Sequence, residues 1–473
     1  MTSACWFNVG ETHGRVSVET HGRADKLKSF PFIIVAAAAL SLLTFLNAAA
    51  QTSATAQQGV LAPQGTYVIR NARIVTVSGP EIENGTVVVR NGKIEAVGTN
   101  VSIPAGAEEI NAQGLTVYPG MIDLATSIGL VEISSGAPGG VDASEVGDIN
   151  PNARAITSIN PHSAYVNVAR AGGVTSVATL PLGGLIAGQG AFINLDGTTA
   201  DEMSVVSAAA LVINYPRVST TSFDALFNPQ ERNINEAVTT RDRQLEQMRK
   251  PLRDAEAYGR AQDAYARDPR LPRPDHDLAL AALVPYVRGE RPVIFRANRE
   301  SEIRGAIRFA EEMRLKPVIL GGGEAWKIAA FLREKNVPVI LTGVLDLPPR
   351  EDDPYDTNYA AAAKLQQAGV RFCISSGSAG QFVRNLPLYA GMAAAFDLPR
   401  AEAVKSVTLY PAEIMGLAGS LGSIEPGKTA NLVIMDGDLL EARTHVRYLF
   451  IAGRKLPLTS RHTELYDQFK DRR

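Results

Sequence analysis

The chain has 473 residues, of which 45% are hydrophobic and 20% are charged, and its formal net charge is −2. This length suits one large domain with a smaller one beside it. The near-neutral charge gives no support for a nucleic-acid-binding surface or for an acidic substrate. The two cysteines, Cys5 and Cys373, exclude a disulfide framework and a cysteine-rich zinc site.

Residues 1–50 resemble an export leader. Lys26 and Lys28 precede an apolar run over residues 30–46, and three alanines then stand before Gln51. This order predicts a cleaved signal peptide and an exported protein, periplasmic or extracellular. The alternative is an uncleaved membrane anchor, because the run is near the lower limit for a spanning helix, roughly 17 residues. Residues 51–65, rich in Ala, Thr and Gln, are predicted to be a linker.

Short β-branched runs occupy residues 66–118. Asn91-Gly92 separates two of them and predicts a hairpin, since both positions of such a turn need positive φ. Strand patterns return over residues 421–458, after a long intervening segment. We therefore predict one composite β-sandwich domain made from both ends of the chain, followed by a tail over residues 459–473.

Residues 119–420 have a different sequence pattern, in which short apolar runs alternate with helical patterns. The apolar runs 174–180, 292–296, 317–320, 337–341 and 370–374 lack polar alternation, as the strands of buried parallel sheets do. The pattern and its length predict an α/β fold, a TIM-like (β/α)8 barrel. The glycine-rich residues 183–190 are interpreted as a barrel turn. A charged helical insertion at about 233–290 is either a lid or a solvated pair of surface helices.

Two motifs carry a family resemblance. Residues 117–123 read Val-Tyr-Pro-Gly-Met-Ile-Asp, and residues 406–417 and 421–435 form a helix-to-strand return about 300 residues later. Both resemble the amidohydrolase superfamily, and the imidazolonepropionase-like branch most. The resemblance implies a metal-dependent hydrolase acting on carbon–nitrogen bonds other than peptide bonds, with zinc or another divalent metal as cofactor.

The resemblance also implies metal ligands that this chain lacks. The family has a His-x-His pair after the first motif, histidines at later strand ends and an aspartate on the last strand. The matching positions here are Ala125, Ser127, Asn298, Gly321 and Ser378. Of the six histidines, only two lie in the barrel region; in chain order the six are His13, His21, His162, His276, His445 and His462. A four-histidine site cannot be assembled, so no metal cofactor is predicted.

Four polar residues remain as pocket candidates. Asp123 lies in the first motif and is interpreted as structural or orienting. Arg296 and Asn298 follow a predicted strand, where Arg296 would either bind an anionic ligand or form an ion pair in place of the metal. Glu324 begins a predicted helix, where its carboxylate would act as a cap.

Two functions follow. The first is a non-catalytic family member that serves as a scaffold, as the partner of an active paralogue, as a homo-oligomer or as a small-molecule binder. The alternative is an active cyclic-amide-type hydrolase with unusual ligands drawn from Asp123, Glu132, Glu324 and Asn298. No nucleic-acid partner is expected, and membrane contact only through an uncleaved N-terminal segment.

Overall fold

The described chain begins with five strands. The computed structural model describes residues 61, 64–133, 141–223, 229–377 and 379–472, so the predicted leader, most of the linker and Ser378 lie outside the described residues. The strands are β1 Tyr67–Ile74, β2 Ile82–Arg90, β3 Lys93–Gly98, β4 Glu108–Asn111 and β5 Thr116–Pro119. The predicted hairpin is confirmed, because Arg90 pairs with Lys93 while Asn91 and Gly92 have φ of 52° and 77°.

Eight further strands form a nearly closed barrel, as predicted. They are β6 Met121–Thr126, β7 Val174–Thr179, β8 Ile186–Asn194, β9 Ser204–Asn214, β12 Pro292–Ala297, β13 Lys316–Gly321, β14 Val339–Leu341 and β15 Phe372–Ile374, while β10 Thr221–Phe223 and β11 Pro229–Glu231 form a separate hairpin. Their order around the barrel is β6-β7-β8-β9-β12-β13-β14-β15. The apolar runs therefore identified five barrel strands correctly, with ends shifted by one or two residues.

Strand β8 departs from the predicted topology, because it runs antiparallel to both of its neighbours. The interpretation of residues 183–190 as a turn is therefore wrong from residue 186 onward. An antiparallel neighbour needs no helical crossover, so the connection from β7 is short and carries no helix signal. The segment around Ala153, and not an α-helix, covers the outer surface of β8. A Cβ at Gly188 would lie 2.7 Å from the carbonyl oxygen of Ala153.

Helices surround the sheet. They are α1 Ala164–Ala171, α2 Ala200–Met203, α3 Ile234–Arg267, α4 Leu278–Val287, α5 Glu300–Glu312, α6 Ala329–Glu334, α7 Thr357–Gln367, α8 Leu386–Ala395, α9 Arg400–Ser406, α10 Leu409–Ile414 and α11 Arg461–Phe469. Single 3-10 turns cover Ala155–Ser158, Ala325–Ile328 and Gly380–Asn385. The insertion is α3 packed against α4, and α3 buries Met248, Leu252 and Ala255 in the core outside the barrel. It therefore belongs to the helical layer outside the barrel.

The chain returns to the first sheet through β16 Leu432–Met435, β17 Val446–Ile451 and β18 Arg454–Leu456. The sheet order is β18-β17-β16-β5-β1-β2-β3, with β4 also paired to β1, so both ends of the chain contribute to one mixed sheet. Its core is separate from that of the barrel and includes Ile69, Leu432 and Phe450. Within the described ranges, no helix combines the length and apolar character needed to cross a membrane.

Candidate functional site

The barrel interior is filled with apolar side chains. Those that face inward include Leu124, Leu180, Phe192, Val212, Ile294, Leu320, Ile340 and Cys373. A small cavity of about 20 Å³ is lined by Pro181 and Ala187 and by loop residues such as Asp142, Ser144 and Arg154, and it holds about one water molecule. Because ligand sites of barrels form at the C-terminal ends of the strands, the candidate site reduces to the polar residues at those ends.

Arg296 is the charged side chain that points into this mouth. It follows Ile294 by two residues on β12 and therefore faces the same side of the sheet. Its Nη1 donates to the carbonyl oxygen of Pro181 at 2.9 Å and to Oδ1 of Asn214 at 3.2 Å. No described carboxylate forms an ion pair with it, so the described residues give no support to the ion-pair alternative. Burial lowers the pKa of Arg296 to about 10.

Asp123 joins the two edge strands of the barrel. Its Oδ1 accepts hydrogen bonds from the Ser375 hydroxyl and from the Ala125 amide, the latter at 3.2 Å. Its Oδ2 accepts from the hydroxyl of Ser376 and from the amide of Ser376 at 3.2 Å. The side chain is completely buried, and burial raises the pKa of Asp123 while these hydrogen bonds oppose the rise. The carboxylate thus bridges the seam between β6 and β15.

Glu324 follows β13 closely, is only 2% exposed, and connects the end of that strand to neighbouring segments through hydrogen bonds. Its Oε2 accepts from the amide of Glu300 at 2.8 Å, and its Oε1 accepts from Lys327 at 3.2 Å and from Arg350 at 2.7 Å. Burial tends to raise the pKa of Glu324, but the Glu300 amide, Arg350 and Lys327 together lower it. The predicted capping role needs a correction: Glu324 caps α5, and not the helix that it precedes, because the turn after β13 places it beside the first amides of α5.

The ligand positions inferred from the resemblance do not suit a divalent metal. Ala125 is part of the apolar barrel wall, and Ser127 is buried in the turn after β6. Gly321 has φ of +106°, and a Cβ there would lie 2.3 Å from Oδ1 of Asn298, so no ligating side chain fits without displacing it. Asn298 itself is exposed, and the cationic Arg296 occupies the mouth. The four described positions, which exclude Ser378, therefore do not fit the family's metal.

Other candidate ligands do not converge either. Among the described residues, no three His, Cys, Asp or Glu side chains are grouped as a metal site would require. Glu132 accepts hydrogen bonds from Asn160 at 3.4 Å and from Ser163 at 3.0 Å, which fixes the loop after β6. His162 and His276 are both exposed. The hypothetical set of Asp123, Glu132, Glu324 and Asn298 is thus not brought together.

Sequence analysis missed Asn214, which ends β9. Its amide donates to the carbonyl oxygens of Leu182 at 2.8 Å and Gly184 at 2.6 Å, while its Oδ1 accepts from Arg296. The available signal was the Ala- and Val-rich run of residues 204–213, which ends at Asn-Tyr-Pro. That run has the composition of a buried strand, and Asn214 stands at its C-terminal end, where barrel sites form.

Comparisons with known proteins agree with this architecture. A model described as the amidohydrolase family matches residues 309–456. The chain is 25% identical over 391 residues to amidohydrolase tasK of Hapsidospora irregularis, covering 75% of this chain and 38% of that protein. It is 36% identical over 58 residues to a dihydroorotase of Listeria monocytogenes, covering 12% of this chain and 13% of that protein. The match thus spans less than two thirds of either relative.

A solved structure matches over a much larger share of its length. The crystal structure of an amidohydrolase from Thermotoga maritima MSB8 superimposes with a TM-score of 0.72 and 26% identity, covering 83% of this chain and 99% of that one. The chain therefore belongs to the amidohydrolase superfamily of hydrolases.

Proposed function

We propose that this chain is a non-hydrolytic member of the superfamily, in which the barrel serves as a scaffold and its mouth is closed by Arg296. The observation that carries the proposal is the position of that guanidinium. It lies at the strand ends where the family's metal chemistry belongs, and its partners are the Pro181 carbonyl and the Asn214 amide oxygen. A fixed positive charge raises the free energy of a divalent cation placed beside it.

The remaining polar groups support the same proposal. Metal-assisted hydrolysis needs ligands that hold the ion and leave a coordination position open for water. Asp123 and Glu324, two buried carboxylates at strand ends, already accept four and three hydrogen bonds from protein donors. Binding a metal through either would break the seam between β6 and β15 or the cap of α5.

Metal analysis of the full-length protein tests the proposal. Protein produced with added zinc, manganese and iron is expected to contain none of them in stoichiometric amount after desalting. It is also expected to hydrolyse neither cyclic amides nor N-acyl compounds, with a dihydroorotase assayed alongside as a positive control. Arg296→Met removes the cation, and Arg296→Lys serves as its charge-conserving control. Stoichiometric metal in the wild-type protein, with hydrolysis that a chelator abolishes, would favour the alternative, an active hydrolase with unusual ligands.

Export and pairing are further proposals. The apolar run over residues 30–46 favours secretion, and N-terminal sequencing of protein from the producing cells tests cleavage before Gln51. An intact N-terminus in the membrane fraction would contradict cleavage and favour an anchor. A scaffold is expected to have a partner, which is a second copy or an active paralogue. Light scattering coupled to size exclusion distinguishes an oligomer from a monomer.

A further inference from the structure

A second cavity lies at the rim of the barrel, outside the closed mouth. It encloses about 310 Å³ between the end of β9, the loop after it and the first turns of α3. The lining residues are Leu185, Asn214, Tyr215, Pro216, Arg217, Ser219, Arg232, Ala237, Thr240 and Gln244. This volume is within the range of small-molecule sites, about 300–1,000 Å³, and far exceeds the space beside Pro181.

The cavity has one sign of charge. Its charged lining residues are Arg217 and Arg232, and neither side chain forms an ion pair or hydrogen bond with a described residue. The arginines further along α3 differ, since Arg241 pairs with Asp242 at 2.6 Å and Arg249 with Glu312 at 2.9 Å. Two guanidinium groups that have no described carboxylate beside them repel each other at one cavity, and an anion bound between them would reduce that repulsion.

The other residues that line the cavity indicate which further groups a ligand would have. Thr240 and Gln244 are partly buried, and their side chains make no hydrogen bond with a described residue, so they can donate to an oxygen-rich group. Leu185, Pro216 and Ala237 form an apolar wall that suits a carbon skeleton. Such a combination of an apolar surface with a few polar groups is typical of small-molecule sites.

The location agrees with how barrels bind anions. Asn214 lines the cavity and also accepts a hydrogen bond from Arg296, which places the cavity at the C-terminal end of the barrel. In barrels this end carries the ligand sites, and phosphate groups are often held there by loops that follow the strands. Guanidinium groups match the oxygens of tetrahedral anions with paired hydrogen bonds.

We propose that this cavity binds a small molecule through a phosphate or sulfate group held by Arg217 and Arg232. The site is separate from the mouth, so the inference does not depend on whether the barrel hydrolyses a substrate. Phosphate and sulfate share the tetrahedral oxyanion that the two arginines recognise. A dicarboxylate lacks this shape and is expected to bind more weakly.

Calorimetric titration of the full-length protein tests the site with phenyl phosphate, phenyl sulfate and succinate at constant ionic strength. We expect the phosphate or the sulfate to bind more tightly than succinate. Arg217→Ala and Arg232→Ala should each weaken binding about tenfold or more, the loss expected for one charge-assisted contact. Both arginines are exposed, so folding should be retained, and circular dichroism checks this.

One control variant makes the result decisive. Arg243→Ala removes an exposed arginine of α3 that does not line the cavity. It should bind phenyl phosphate or phenyl sulfate as the wild type does. The proposal is overturned by an absence of binding, by equal weakening in Arg243→Ala, or by equal affinity for succinate.

Discussion

Replacement of Asp123 by Asn tests whether its carboxylate holds the barrel seam. Each carboxylate oxygen accepts from one backbone amide at 3.2 Å, Oδ1 from Ala125 and Oδ2 from Ser376. An asparagine of the same size has one oxygen and one amino group. In either orientation of the side chain, the amino group faces a backbone N–H, and one buried donor loses its acceptor.

The expected cost follows from two opposing terms. A buried donor without an acceptor costs about 1–3 kcal/mol. Because burial raises the pKa of Asp123, the neutral amide also recovers part of the desolvation free energy of the carboxylate. We therefore expect Asp123→Asn to lower the free energy of unfolding by about 1–2 kcal/mol at neutral pH.

Urea unfolding followed by circular dichroism measures this difference, with Asp275→Asn as the matched control. Asp275 is exposed and its side chain makes no hydrogen bond with a described residue, so its replacement makes the same change of charge without touching the seam. The control should unfold as the wild type does. A seam variant as stable as the control, or more stable, would refute the role given to Asp123.

Three further predictions concern other titratable groups. Burial lowers the pKa of Arg296 to about 10 from 12.5, so above pH 10 the unfolded chain binds more protons than the folded protein does. The stability of the wild type should therefore rise relative to that of Arg296→Met as the pH increases above 10. Urea titrations on either side of pH 10 that show no such rise would contradict this prediction. Hydrogen bonds from Ser423 and Lys428 lower the pKa of Glu425 to about 2 from 4.5. This stabilisation is present above pH 4.5 and lost as the pH falls to 2. Glu425→Gln should lower the free energy of unfolding by less than about 1 kcal/mol at neutral pH, because the side chain is 43% exposed. An equal loss of stability in acid would disprove the assignment. Burial raises the pKa of the Cys373 thiol, so peptide mass spectrometry should find Cys373 alkylated in urea but not in the native protein, and rapid native labelling would argue against its burial.

Local signals in the sequence predicted local structure well. Asn91-Gly92 determines its own turn, and Ser163 caps α1 locally by accepting from the amide of Tyr165. The antiparallel β8 was not predictable in the same way, because its direction depends on which strands it pairs with. The partners of Arg296 were not predictable for the same reason, because they lie at strand ends 82 and 115 residues away in sequence.

The proposed loss of the family's ligands and the retention of its fold have one physical explanation. Removing a metal from a barrel would leave buried charges without partners, which is strongly destabilising. Here the polar groups at the strand ends satisfy one another locally, with Asp123 bound by two serines and Glu324 by Arg350, Lys327 and a helix amide. The same arrangement opposes a return, since a ligating residue at position 321 would have to adopt a φ of +106° and displace the Asn298 side chain.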